Sequence, residues 1–100
     1  MDEMMKAVNE YPNGTYLRIE WADANVLLGG VIDTIYQTNN GHPEGTSTFR
    51  EYYAFAFRIK DVVKNMSGNT YSENSLMEIS MEVPPTSITL RDERPVWKAW

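Results

Sequence analysis

Tyr53-Ala54-Phe55-Ala56-Phe57-Arg58-Ile59-Lys60 alternates large apolar residues with small or charged ones. In an extended chain successive side chains point to opposite faces. Tyr53, Phe55, Phe57 and Ile59 therefore share one face, and Ala54, Ala56, Arg58 and Lys60 share the other. That pattern is a half-buried strand, expected over 51–61. The alternation weakens at Asp61-Val62-Val63-Lys64, which marks a strand end or a short helical turn.

Downstream, a polar loop from Met66 to Ser75 leads into a second alternating run, a strand expected over 76–83. Met77, Ile79, Met81 and Val83 read as inward, and Glu78, Ser80 and Glu82 as outward. Pairing of these two strands as a hairpin is expected to set Arg58 and Lys60 near Glu78 and Glu82, contacts worth roughly 0.2–1 kcal/mol each. Pro84-Pro85 ends the run, because proline has no N–H to give to a ladder. A short strand over 87–91 follows, then a charged turn, Asp92-Glu93-Arg94-Pro95, and an aromatic tail from Val96 to Trp100.

Upstream, Tyr16-Leu17-Arg18-Ile19-Glu20-Trp21 alternates as well, with Leu17, Ile19 and Trp21 on the apolar side. It predicts a strand over 16–22, and Ala22-Asp23-Ala24-Asn25 reads as a tight reversal. Val26 to Thr38 is a long β-branched strand interrupted by Gly29-Gly30, a natural place for a bend or bulge. Asn39 to Thr48 is a loop. Residues 2–10 read as a short helix capped by Asp2, with Met4, Met5 and Val8 as its apolar face.

The sum is an all-β, β-rich chain: five antiparallel strands behind a short N-terminal helix. An antiparallel sheet of this size must cover its apolar face by curling or by taking a helix. The helix, the bent second strand and the Pro-Pro corner before a short last strand together resemble the small SH3-like and Sm-like barrels in topology. A strongly bent small barrel is therefore the expected architecture. The Sm family's Arg-Gly pair late in the chain is missing, so no function and no residue is carried over from that resemblance.

Composition agrees with one globular domain over 1–100: the chain is 42% apolar and 23% charged, with three Trp, six Tyr and three Phe to supply core volume. There is no cysteine, which excludes disulfides and thiolate metal sites. The first residues have neither a basic nor an apolar leader region, and no apolar run approaches the roughly 20 residues of a membrane span. A cytoplasmic location follows as the expectation. The net charge of −5 resides wholly in residues 1–49, since residues 50–100 hold seven basic and seven acidic groups.

The search for reaction chemistry returns ordinary readings. His42, the only histidine, sits in Gly41-His42-Pro43 with no nucleophile-elbow spacing and no Cys partners for zinc. Glu78 and Glu82 lie about 13 Å apart along a strand, beyond the roughly 5–9.5 Å of glycosidase pairs. Asp33, inside Val31-Ile32-Asp33-Thr34-Ile35, is expected to face outward toward a cation on the neighbouring strand. The glycines lack phosphate-loop spacing. No catalytic residue, cofactor or metal is expected, and the chain reads as no enzyme.

The leading functional reading is a protein-interaction module: a small acidic inhibitor or immunity-type protein, or a homo-oligomer built on strand edges. A negative surface speeds encounter with a basic partner. Arg91, Arg94, Trp97 and Trp100 form the expected contact surface, because exposed Trp and Arg are typical interface anchors. Trp97 is also expected to fold back over the end of the barrel, and Trp100 is left open between core and interface. The alternative is a single-stranded nucleic-acid-binding barrel using Arg50, Tyr52, Arg58, Lys60 and Lys64, with Tyr52 as a stacking surface. The acidic balance argues against it.

Overall fold

The computed structural model describes residues 1–38 and 52–99. Helix α1 spans Glu3–Asn9, and the strands are β1 Tyr16–Trp21, β2 Val26–Thr38, β3 Tyr52–Asn65, β4 Leu76–Ser80, β5 Ser87–Leu90 and β6 Pro95–Lys98. They form one antiparallel sheet in the order β4-β3-β2-β1-β5-β6. The all-β expectation holds. The expected five-stranded barrel does not: there are six strands, and β4 and β6 are the two ends of an open sheet.

The sixth strand is the aromatic tail. After β5 the chain turns through Glu93, which holds a left-handed conformation at φ 71°. The Glu93 N–H donates to the Leu90 carbonyl, and the Leu90 N–H donates to the Arg94 carbonyl. That turn sets Trp97 opposite Ile88 and packs its ring against the core. The fold-back expected of Trp97 is therefore made as a paired strand. Trp100 lies outside the described residues, as do the Asn39–Thr48 loop, His42 and Arg50.

The alternation in β3 survives intact: Phe55, Phe57 and Ile59 are buried. β3 also runs further than expected, because residues 61–65 continue the ladder with β2 through register shifts rather than turning. One of those shifts falls between Gly29 and Gly30, where a bulge was expected. A Cβ at Gly30 would collide with the Arg58 carbonyl oxygen and stand 2.8 Å from the Phe57 ring, so glycine lets the two strands close up at the bend.

β4 is shorter than its alternation suggests. The Ser80 hydroxyl accepts the Glu82 N–H, bending the chain off the sheet. Met81 and Val83, read as inward, are exposed in consequence.

The inner face is closed by α1. Asp2 caps it by accepting the Met5 N–H at 2.8 Å, an interaction worth about 1 kcal/mol. Met4, Met5 and Val8 bury against Leu17, Ile19, Leu28, Ile32, Phe55, Phe57, Ile79 and Ile88. A seven-residue helix is too short to persist alone, so this packing is what holds it. The outer face of the sheet carries no covering helix among the described elements.

Candidate partner-binding surface

Residues facing away from α1 build the outer face, and register decides their neighbours. Arg18 stands opposite Gly29, which in turn stands opposite Asp61. With no side chain at position 29, the ring of Tyr16 lies across β2 and its hydroxyl donates to Asp61 Oδ2 at 2.6 Å. The Arg91 guanidinium sits 3.8 Å from the centroid of that ring, a cation–π contact. Burial and the Asp61 hydrogen bond raise the Tyr16 pKa, while Arg18 and Arg91 pull it down.

One strand further along, Glu78 organises a second cluster. Tyr36 donates to its Oε1 at 3.0 Å and Tyr52 to its Oε2 at 2.8 Å. Burial, then the Glu78 hydrogen bond and charge, push the Tyr36 pKa up to about 12. Between the two clusters Arg58 lies 3.7 Å from Asp33 and donates to the Asn74 carbonyl at 2.8 Å. Asp33 therefore faces outward to a cation, as expected.

The ion pairs expected between Arg58 or Lys60 and Glu78 or Glu82 are not what forms on this face. Glu78 is opposite Ala56, Arg58 is opposite Leu76, and Lys60 donates to Asn74 Oδ1 at 2.9 Å. The reason is register: the loop before β4 brings Asn74 back beside both cations.

Of the expected contact surface, Arg91 and Arg94 line one cleft beside Tyr16, Leu90 and Asp92. Arg91 stacks on Tyr16, Arg94 pairs with Asp92 at 2.8 Å, and Trp97 packs on the core from β6. Of the alternative nucleic-acid surface, Tyr52 is held at Glu78 and Arg58 and Lys60 at Asn74, while Lys64 is exposed. Asp33 and Asp61 stand among these cations. The stacking surface assigned to Tyr52 is tied by its hydroxyl to a carboxylate.

Sequence reasoning missed Tyr16, Tyr36 and Asp61. Their contacts span 45 and 42 residues, so no local spacing reveals them. It also missed a second feature, at the β4 end of the sheet. Leu76 is 49% exposed and Val83 73%. Beside them a cleft of about 350 Å³ opens, lined by Trp21, Val26, Tyr71, Met77 and Val83 among others.

The model of one protein family, described as cognate immunity protein YxxD, matches residues 1–100. The chain belongs to that family. No curated protein and no solved structure matches it. Membership of the YxxD immunity family goes with a role exerted through contact with another protein. In this YxxD-family chain the outer face carries a lattice of tyrosine–carboxylate and arginine–carboxylate contacts, and Leu76, Met81 and Val83 are exposed around β4.

Proposed function

We propose that this chain is a non-enzymatic immunity protein that neutralises a cognate toxin by binding it, protein to protein, in the cytoplasm. The observation that carries this reading is the family match over the whole chain. The surface supports it. Tyr16 with Asp61, Tyr36 and Tyr52 with Glu78, and Arg58 with Asp33 are held before any partner arrives. Side chains already ordered lose little entropy on contact, which favours tight association. Among the described residues no helix is long and apolar enough to cross a membrane.

The test is co-expression of the chain with its cognate toxin, followed by titration calorimetry of the two purified proteins. The expected result is restored growth and a stoichiometric complex. Undiminished toxicity together with no heat of binding would overturn the reading.

A further inference from the structure

The hairpin that joins β5 to β6 brings two guanidinium groups to one cleft. Its loop is Arg91, Asp92 and Glu93, closed by the hydrogen bonds that Leu90 makes with Glu93 and Arg94. Loops of this length end on a residue in the left-handed region, here Glu93 at φ 71°. So short a turn fixes where Arg91 and Arg94 leave the backbone. The cleft they line holds about 400 Å³, and Tyr16, Leu90 and Asp92 complete its wall.

The two arginines are not equivalent. Arg94 donates through Nε to Asp92 at 2.8 Å, and Arg58, elsewhere on the outer face, has Asp33. Arg91 has no ion pair among the described residues. Its guanidinium sits instead 3.8 Å from the centroid of the Tyr16 ring. That ring is itself held, through the hydroxyl bond to Asp61 across Gly29. A ring balances part of the cation's charge but supplies no oxygen to its N–H donors. Arg91 is therefore a positioned guanidinium that lacks a carboxylate.

Charge names the occupant. One unmatched guanidinium takes one negative charge, and a carboxylate meets its planar fork through two parallel hydrogen bonds. A nucleic acid would carry further phosphates past Asp92 and Glu93, both exposed, which repel them. Leu90 in the wall suits the methylene stem of an acidic side chain.

We infer that the toxin docks the carboxylate of an aspartate or glutamate into this cleft, as a two-pronged ion pair with Arg91, which Tyr16 holds in place. This deepens the toxin-binding reading and rests on it. An arginine already held on a ring loses less side-chain freedom on contact than a free one. Once closed from water the pair is screened little by salt. The contact is local, so the net charge of −5 still favours approach of a partner that is basic elsewhere.

Titration calorimetry of the purified chain with its cognate toxin tests the contact. Arg91→Gln should weaken binding at least 10-fold, and Arg91→Lys, which keeps the charge but loses the fork, at least several-fold. Lys6→Gln removes the same charge from α1, on the other side of the sheet, and should bind as wild type. Tyr16→Leu should weaken binding at least several-fold alone and add nothing to Arg91→Gln, because its effect runs through Arg91. Arg91 is exposed, so its variants keep the inference testable if Tyr16→Leu fails to fold. Arg91→Glu should weaken binding at least 100-fold, and one Asp→Arg or Glu→Arg substitution in the toxin should restore at least 10-fold of that.

Wild-type affinity in Arg91→Gln and Arg91→Glu would overturn the inference and leave the immunity reading standing. Equal losses in Arg91→Gln and Lys6→Gln would do the same, since net charge rather than a contact would then be at work. So would a loss in Arg91→Glu that no charge reversal in the toxin restores. A single-stranded oligonucleotide that displaces the toxin from the wild type but not from Arg91→Gln would give the cleft to phosphate and overturn it as well. No binding by the wild-type protein would defeat both readings.

Discussion

Tyr16 and Gly29 work as one unit. The hydroxyl that reaches Asp61 crosses the sheet where a Cβ at position 29 would stand. Gly29→Ala must displace the far end of a side chain, so a loss of about 1–2 kcal/mol in urea unfolding is expected. In a Tyr16→Ala background that loss should nearly vanish, giving a coupling visible in a double-mutant cycle. Gly30→Ala is different, because a Cβ there meets the Arg58 backbone and the Phe57 ring. Neither can swing aside, and a loss of about 3 kcal/mol or more is expected. Equal losses at the two glycines would contradict this account of the bend. Tyr36 carries a pH signature. Its pKa rises from 10.0 to about 12 on folding, through burial first and Glu78 second. Above pH 10 the unfolded chain gives up a proton that the folded one keeps. The stabilisation from this group is therefore complete below pH 10 and fades as pH climbs through about 12. Glu78→Gln removes the charge but not the burial, so tyrosinate absorbance should show Tyr36 titrating lower while staying above its ordinary value. An unmoved titration would mean that burial alone sets it.

Elements show how far a sequence carries and where it stops. Period-two alternation found β1 and β3 and the inner residues Leu17, Ile19, Phe55, Phe57 and Ile59, because burial of one face is a local demand that each strand writes into its own residues. The same rule misread Met81 and Val83, since the alternation of residues 76–83 outlasts the hydrogen bond from Glu82 to Ser80 that ends the strand. β6 was hidden for another reason. Val96 and Trp97 make too short a run to declare a strand, and pairing with β5 depends on a turn whose left-handed residue is Glu93 rather than glycine. The tyrosine clusters of the candidate surface were invisible because their partners meet only through register. β6 nevertheless matters to the whole sheet, for α1 lies against it and against β3. Trp97→Ala should cost about 2 kcal/mol, less than a fully buried Trp, and should raise amide exchange in α1 along with β6. A thermal melt paired with hydrogen exchange checks both, and faster exchange confined to residues 95–98 would show that α1 does not lean on this strand.

At the scale of the molecule, an open sheet faced on one side by a helix leaves an outer face and two unequal edges, and the chain carries a net charge of −5. Among the described residues no Asp or Glu is buried, so salt screens their charges within a Debye length of roughly 8 Å at physiological ionic strength. Their contribution to a complex is then chiefly to the rate of encounter. If the toxin presents a basic surface to this chain, association measured by stopped flow should slow at least several-fold between about 50 and 500 mM salt, and dissociation should hardly change. Glu73→Lys, at an exposed position before β4, should slow association in the same sense without altering the melting temperature. Dissociation that accelerates with salt while association stays constant would place the charges inside the contact rather than around it.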